Sequence, residues 1–397
     1  MRILFISDVY APRVNGVSTS IATFRHDLVN DGHHCTLVVP DYPAAGEAGD
    51  SSILRVPGRL VPGDPEDRLM KWRALRGVLR DPLCNDIDIV HIHTPFAAHY
   101  AGVRHARRLG VPVVATYHTY FEHYLQHYLP AIPIVAARSL ARWFTRRQCA
   151  ELDALISPSN SMADALRAYG VTTPIEVLPT GLPTQSFDRG AGLRFRQRHG
   201  IAPGRRVMLY VGRTAHEKNI EFLVDIAAQV RQSVADALLV IAGEGPALPQ
   251  LMRRVGELGM DNHVQFIGYL DRRQELLDCY HSADVFVFAS RTETQGLVLL
   301  EAMAQGTPVV STAVMGTKDV LAGAEGAVVV PEERTAFANA VVQLLNDGGT
   351  RSLLGNRARL DARRWASRAM ALRLGEFYQR VAARYVERPD ALVAAKA

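Results

Sequence analysis

The chain has 397 residues and a formal net charge of +5, and 48% of its residues are hydrophobic. This length exceeds what one hydrophobic core usually supports, which predicts two domains, and the absence of any run of 18 apolar residues argues against a membrane span. The four cysteines are dispersed and no nucleic-acid-binding motif accompanies the positive charge, so a disulfide scaffold, a structural zinc site and a nucleic-acid-binding protein are not favoured.

The first half of the chain alternates short apolar runs with amphipathic runs. Strands are predicted at residues 3–6, 35–39, 87–92, 111–116, 154–157 and 175–178. A helix at 17–30 is terminated by Gly32. This alternation predicts a parallel sheet covered by helices. The N-terminal strand lacks the long apolar segment and the cleavage site of a signal peptide, so we expect a cytoplasmic protein.

Two loops of this half carry candidate ligand-binding residues. Gly16 follows Asn15 directly before the first helix, where a glycine lets the backbone approach a ligand closely. His118 follows the strand at 111–116, at the edge of the sheet where open α/β sheets bind ligands.

The region around His118 is rich in histidine. Four further histidines are His91, His93, His123 and His127. They are predicted to lie in separate loops or in a helix, and no carboxylate pattern accompanies them. The sequence therefore predicts no metal centre.

One stretch of the first half has the pattern of a basic amphipathic helix. Arginine recurs at helical spacing between residues 138 and 147, beside Leu140 and Trp143, and a shorter run at 69–80 repeats the pattern around Trp72. Such helices can lie in the interface of an anionic membrane. The alternative is that they turn their apolar faces into the core and expose only their arginines.

A proline- and glycine-rich passage at 179–183 separates this series from a second one, which begins with a buried strand at 207–211. We therefore divide the chain into an N-terminal domain, residues 1–183, a C-terminal domain, 184–365, and a C-terminal helix with a tail, 366–397.

The loop after the strand at 207–211 carries two cations. Arg213 and Lys218 lie between this strand and an amphipathic run at 220–230. Two cations in a strand-to-helix loop suit a diphosphate, whose charge they can neutralise without a metal ion.

The most informative segment is 292–310. It joins a strand at 284–289 to another at 307–311, and so predicts a strand-helix-strand unit. Glu293 and Glu301 lie on either side of the glycine that opens its helix.

The start of this helix is suited to phosphate, and the two glutamates are candidates for binding sugar hydroxyls; the alternative is that both are ordinary solvent-exposed charges. Backbone amides of Gln295, Gly296 and Leu297 lie at the positive end of the helix dipole, where phosphate binds. Glu301, about one turn into the helix, is placed to accept hydrogen bonds from a ribose diol. Glu293, in the loop, is placed to hold the hydroxyls of a second sugar.

Four segments of the second half resemble one family. They are GRTAHEKN at 212–219, IAGEGP at 241–246, FIGYL at 266–270 and ETQGLVLLEAMAQGTPVV at 293–310. Together they resemble the donor half of the family 4 retaining glycosyltransferases of the GT-B fold, and the resemblance covers nearly the whole chain. The family's usual EGFG motif is replaced by ETQG at residues 293–296, with the spacing to Glu301 unchanged. This form, with HTPF and TYHTYFEHY in the first half, resembles the branch that glucosylates diacylglycerol.

The resemblance implies an α/β protein of GT-B fold, with two Rossmann-like parallel-sheet domains facing a central cleft and a C-terminal helix crossing back onto the first domain. It implies that the first domain binds the acceptor and the second the nucleotide sugar. Arg213 and Lys218 would then bind the donor diphosphate, and Glu301 the ribose of the nucleotide.

The remaining roles also follow from the resemblance. Glu293 and His118 would contact the transferred sugar, so that these two residues, with the two cations, form the catalytic set. Backbone near Tyr269 and Leu270 would read the base, and Gly16 would lie near the donor phosphates.

The expected reaction is transfer of a hexose, glucose from UDP-glucose, to a lipid acceptor such as diacylglycerol, with retention of configuration. No cofactor or metal is expected, because the two cations replace the divalent ion that other transferases use. A GDP-mannose-dependent mannosyltransferase acting on a lipid or oligosaccharide, an inactive GT-B nucleotide-binding scaffold and a sugar-binding protein without a membrane role are the alternatives. We expect the protein on the cytoplasmic face of an anionic membrane, as a peripheral protein without a nucleic-acid partner.

Overall fold

The chain folds into two compact units. The computed structural model describes residues 1–13, 15–42, 49–61, 64–118, 134–270 and 274–387. Unit 1 comprises Met1–Gly181 and Ser367–Ala397, and unit 2 comprises Leu182–Ala366. The division from the sequence had placed the boundaries after residues 183 and 365.

Unit 1 is built around a parallel sheet of seven strands in the order β3-β2-β1-β6-β7-β8-β9, and β4 and β5 form a separate antiparallel hairpin. The strands are β1 (Arg2–Ile6), β2 (His34–Pro40), β3 (Ile53–Val56), β4 (Gly58–Val61), β5 (Asp64–Met70), β6 (Ile89–Ile92), β7 (Val113–Thr116), β8 (Ala154–Ser157) and β9 (Ile175–Val177). The helices are α1 (Gly16–Asn30), α2 (Trp72–Val78), α3 (Ala97–Leu109), α4 (Ile134–Cys149) and α5 (Asn160–Ala168), with α14 (Ser367–Val386) from the C-terminal end.

The central strands of this sheet are buried on both faces, as expected of parallel strands covered by helices. One face packs under α2 and α3. The other face packs under α1 and α14, where Leu374 and Tyr378 of α14 join Ile3 and Phe5 of β1 in one hydrophobic cluster. The last helix of the chain therefore completes the core of the first unit.

Unit 2 has a parallel sheet of six strands in the order β12-β11-β10-β13-β14-β15. Its strands are β10 (Arg206–Val211), β11 (Ala237–Ala242), β12 (Val264–Gly268), β13 (Val285–Phe288), β14 (Val309–Ser311) and β15 (Ala327–Val329). Its helices are α6 (Gly192–Arg198), α7 (Ile220–Val230), α8 (Leu248–Glu257), α9 (Glu275–Ser282), α10 (Leu297–Ala304), α11 (Gly316–Leu321), α12 (Arg334–Asn346) and α13 (Gly348–Arg363).

In both sheets the direction of strand addition reverses at one point. In unit 2 the sheet grows from β10 toward β11 on one side and from β13 toward β14 on the other. The loops after β10 and β13 therefore diverge, which leaves a crevice at the carboxyl ends of these two strands. The corresponding point in unit 1 lies between β1 and β6.

Parts of the sequence-based prediction for unit 1 were wrong. Leu69 and Met70, predicted in a basic helix, belong to strand β5, and the helix begins at Trp72. His91 was counted among the histidines of loops although it falls in the strand predicted at 87–92, and it does lie inside strand β6 with its side chain fully buried. The hairpin of β4 and β5 was not predicted, because the sequence of β5, DPEDRLM, is rich in residues that are uncommon in strands.

Candidate active site

The predicted cations and carboxylates of unit 2 meet at its switch point. Arg213 and Lys218 lie in the loop after β10, and Glu293 lies in the loop after β13. These strands are neighbours in the sheet, so both loops emerge at the same edge. A hydrogen bond from the Asn219 side chain to the Ala289 carbonyl, 3.2 Å long, ties the two loops together.

The loop that carries Arg213 is held by backbone contacts. A Cβ at Gly243, whose φ is +140°, would lie 2.0 Å from the carbonyl oxygen of Gly212, so only glycine fits. The Thr214 amide donates to the Glu244 carbonyl over 2.9 Å. The IAGEGP segment thus acts as a close-fitting support, and it leaves the Arg213 side chain exposed at the end of β10.

Lys218 and Glu293 form an ion pair. The Lys218 Nζ lies 2.6 Å from Glu293 Oε1, and the two side chains are only 16% and 18% exposed. The residues are 75 positions apart, and their pairing was not evident from the sequence. The cation predicted to bind phosphate and the carboxylate predicted to bind sugar hydroxyls are therefore in direct contact.

The helix that follows Glu293 begins as predicted at a glycine. Gly296 is the N-cap of α10 with φ of +95°, a conformation that favours glycine, and no side chain caps the helix. A Cβ at Gly296 would also lie 2.9 Å from the methyl group of Thr317. Gln295 is buried beside it and Leu297 is the first helical residue. Because side chains do not cap this end, its amides can serve an anion.

Glu301 is half-buried in α10 and has a partner that the sequence analysis missed. The hydroxyl of Tyr280, a fully buried residue of α9, donates to Glu301 Oε2 over 2.7 Å. This bond fixes the direction of the carboxylate, which is what recognition of a diol requires. The only sequence signal was a tyrosine in an otherwise ordinary amphipathic helix.

The residues predicted near the base follow β12. Tyr269 is 58% exposed, whereas Leu270 is buried against the core of unit 2. The Gly268 carbonyl just before them accepts a 2.7 Å hydrogen bond from the Gly243 amide, so this backbone and the IAGEGP segment support one another.

In unit 1, Gly16 is the first residue of α1. Asn15 is its N-cap and forms a reciprocal capping box with Ser18. Gly16 is exposed, a Cβ there would meet no atom of the described residues within 4 Å, and its φ is not positive. Local packing and backbone geometry therefore give no reason for a glycine at this position.

His118 lies just beyond the carboxyl end of β7, and its ring belongs to a column of aromatic rings. His118 Nε2 is 3.1 Å from His93 Nδ1, and the two rings stack with their centroids 5.4 Å apart. The His93 ring also lies against the His91 ring, with 4.0 Å between centroids and the two planes tilted by 34°. Burial lowers the pKa of His118 to about 4 and holds the pKa values of His91 and His93 well below the usual range, so all three rings are neutral at pH 7.

The base of the column is anchored by hydrogen bonds. His91 Nδ1 lies 2.6 Å from the Tyr378 hydroxyl of α14, and His91 Nε2 lies 2.7 Å from the Thr116 hydroxyl. Two other histidines considered in the sequence analysis, His123 and His127, lie outside the described residues.

Helix α4 exposes its apolar and basic residues together. Leu140 and Trp143 are 46% and 49% exposed, and the Arg147 guanidinium lies over the Trp143 ring at 5.6 Å. The side that packs inward carries smaller or polar side chains such as Ala141 and Gln148. In the part of the chain that the structure describes, no helix combines the length and the apolar character needed to cross a bilayer.

Two family models match the chain. Residues 14–186 match the model described as Glycosyltransferase Family 4, and residues 193–361 match the model described as Glycosyl transferases group 1. The two matches correspond to the two halves of the chain.

Several known proteins are similar over most of their length. The alpha-monoglucosyldiacylglycerol synthase of Streptococcus pneumoniae is 33% identical over 317 residues, which are 78% of this chain and 71% of that protein. A GDP-mannose-dependent alpha-mannosyltransferase of Mycobacterium tuberculosis is 30% identical over 379 residues, which are 92% of this chain and 93% of that protein. A solved structure of sucrose-phosphate synthase from Thermosynechococcus elongatus has the same fold, with a TM-score of 0.78 at 21% identity over 96% of this chain and 100% of that one.

Proposed function

The chain belongs to the GT-B glycosyltransferases, and we propose that it transfers glucose from UDP-glucose to a lipid acceptor such as diacylglycerol, with retention of the anomeric configuration and without a divalent metal ion. A hexosyltransferase activity follows from the family. We infer the donor, the acceptor and the mechanism from the residues of the site and from the similarity to a glucosyldiacylglycerol synthase.

The ion pair of Lys218 and Glu293 is the observation that carries the proposal. In a nucleotide sugar, the outer phosphate and the sugar hydroxyls flank a single bond, between the anomeric carbon and the phosphate oxygen. A cation and a carboxylate 2.6 Å apart match that arrangement, because one binds phosphate and the other binds hydroxyls. Arg213, exposed in the same loop, adds a second positive charge for the diphosphate.

In the proposed reaction, the bond between the anomeric carbon and the diphosphate oxygen breaks while the acceptor oxygen attacks the same face of the sugar. Lys218, Arg213 and the amides at the start of α10 stabilise the negative charge that develops on the leaving diphosphate. The leaving phosphate takes the proton of the acceptor hydroxyl, so no separate carboxylate nucleophile is needed. In unit 2, Glu293 holds hydroxyls of the sugar in place. In unit 1, His118, with its neutral ring, is the residue to which the family resemblance gives a contact with the sugar.

Helix α4 supports a lipid acceptor. Its exposed Leu140 and Trp143 are accompanied by arginines, a combination that favours the interface of an anionic bilayer. Each basic residue near such a surface contributes about 1 kcal/mol of attraction. Binding there would bring the enzyme to an acceptor that does not leave the membrane.

A donor screen tests the proposal. The purified protein is given radiolabelled UDP-glucose, UDP-galactose or GDP-mannose, each with and without diacylglycerol in anionic liposomes. We expect label from UDP-glucose in the lipid phase. Transfer from GDP-mannose instead would favour the second candidate, a mannosyltransferase, which the 30% identity to the mycobacterial enzyme supports. No turnover of any donor would contradict both and favour an inactive scaffold.

Sedimentation with liposomes tests the membrane role separately. Trp143→Ser is expected to reduce the fraction that sediments with anionic liposomes, without changing sedimentation with neutral ones. Leu193→Ser, which removes another exposed apolar side chain from unit 2, is the matched control and should leave sedimentation unchanged. Equal sedimentation of Trp143→Ser and the wild type would contradict a membrane role for this face of α4.

A further inference from the structure

The ring of His118 can carry its proton on either of two nitrogens, and the choice decides whether it donates or accepts a hydrogen bond at the sugar. Its Nε2 lies 3.1 Å from His93 Nδ1 and is occupied by that contact. No described residue forms a hydrogen bond with Nδ1 of His118, so Nδ1 is the nitrogen that remains for a ligand. The position of the proton on His93 therefore determines whether Nδ1 of His118 offers a proton or a lone pair to the ligand.

The surroundings of His93 determine which of its two ring nitrogens carries the proton. His93 is 2% exposed; its ring stacks on Phe5 and lies tilted against His91, at centroid distances of 5.3 and 4.0 Å. Among the residues that the structure describes, its Nε2 has no hydrogen-bond partner. A buried N–H without an acceptor is rarer and more costly than a lone pair without a donor, so Nε2 carries the lone pair and Nδ1 carries the proton.

We propose that His93 is a positioning residue that donates from Nδ1 to His118 Nε2 and so holds the proton of His118 on Nδ1, from which His118 donates a hydrogen bond to the transferred sugar. The part of this inference that concerns the sugar rests on the proposed function. The tautomer itself does not.

The rings packed against His93 fix its orientation toward His118. His91 is hydrogen-bonded at both ring nitrogens, to Tyr378 and to Thr116, and its ring lies tilted against that of His93. The Phe5 ring closes the same column at 5.3 Å from both His91 and His93. His93 therefore has little freedom to rotate and reverse the direction of its hydrogen bond.

The decisive experiment is a two-bond 1H–15N correlation spectrum of the protein labelled with [15N]histidine at pH 7.5, with the His118 signals assigned by their loss in His118→Asn. We expect the wild-type spectrum to show the proton of His118 on Nδ1. A proton on Nε2 would overturn the proposal, and this readout needs no activity. It therefore separates failure of this inference from failure of the proposed glucosyl transfer.

Three variants test the role of His93. His93→Phe keeps a ring in the column but has no donor; we expect a mixture of His118 tautomers and a kcat about three- to tenfold lower, with KM for the donor less affected. His93→Asn places an amide nitrogen near the position of Nδ1 and should restore both the single His118 tautomer and the wild-type kcat. The control is His105→Asn, since His105 is also buried in unit 1 but binds the Cys84 carbonyl at 2.7 Å. An unchanged His118 tautomer in His93→Phe would contradict the proposal.

Discussion

Replacing Lys218 by Met tests the central assignment, because it removes the charge and keeps the length of the stem. A preorganised group that acts on charge developing in the transition state contributes about 2.7–4 kcal/mol, or roughly 10²- to 10³-fold in rate. Lys218 is 16% exposed, so water screens it little and the full range applies. We expect kcat/KM for UDP-glucose to fall by about 10² or more.

The same substitution leaves the Glu293 carboxylate without its cation. The resulting loss of stability must be separated from the effect on catalysis. Breaking a largely buried pair costs stability, here about 1–3 kcal/mol, since the partner carboxylate is 18% exposed and is solvated in part. A protein with ordinary stability remains folded after such a loss. Glu293→Gln in the Lys218→Met background removes the unpaired charge and should recover part of the stability but none of the activity.

The assay is initial-rate transfer of labelled glucose to diacylglycerol, with the donor varied and the acceptor fixed, alongside urea unfolding of each variant. Arg253→Met is the matched control, because Arg253 is an exposed cation of α8 in the same unit. Its kcat/KM should stay within twofold of wild type. A loss below about threefold for Lys218→Met, or equal losses for both variants, would refute the role assigned to Lys218.

Three further outcomes are expected. Tyr280→Phe removes the hydrogen bond to Glu301 and should raise KM for UDP-glucose about three- to tenfold with a smaller change in kcat, and an unchanged KM would contradict the ribose role. Folding lowers the pKa of His118 from 6.5 to about 4, so this histidine stabilises the fold above pH 6.5, and a contribution of at most about 3 kcal/mol is lost as the pH falls toward 4. The urea midpoint of the wild type should therefore fall more steeply between pH 7 and 4.5 than that of His118→Asn. Parallel curves for the two proteins would contradict this. Activity should survive EDTA, whereas complete loss that Mg²⁺ or Mn²⁺ restores would contradict catalysis by the protein's cations alone.

The parts of the fold that the sequence predicted are those with strong local patterns. The strand before Arg213 is a continuous apolar run, and the strand-loop-helix around Glu293 combines such a run with a glycine at a helix start. The family resemblance assigned roles to these residues before their positions were known. The two-sheet GT-B fold was confirmed.

Contacts between distant residues were not predictable in the same way. Lys218 and Glu293 meet only because their two strands are neighbours in the sheet, although β11 and β12 lie between them in the chain. The Tyr280 hydroxyl reaches Glu301 from a different helix, which periodicity within one helix cannot indicate. His93 was visible as one of many histidines, but its contact with His118 depends on how β6 and β7 pair.

The position of α14 has a consequence for biosynthesis. Unit 1 is formed by residues that precede unit 2 and residues that follow it, and all of unit 2 is translated in between. At 5–20 residues per second, the ribosome needs roughly 10–40 s for that intervening segment. During this time the nascent first sheet lacks the helix that covers Ile3 and Phe5 and that supplies the Tyr378 partner of His91. Unit 1 thus begins to emerge before unit 2 but is completed after it, and the apolar face that α14 covers stays open until α14 has left the ribosome.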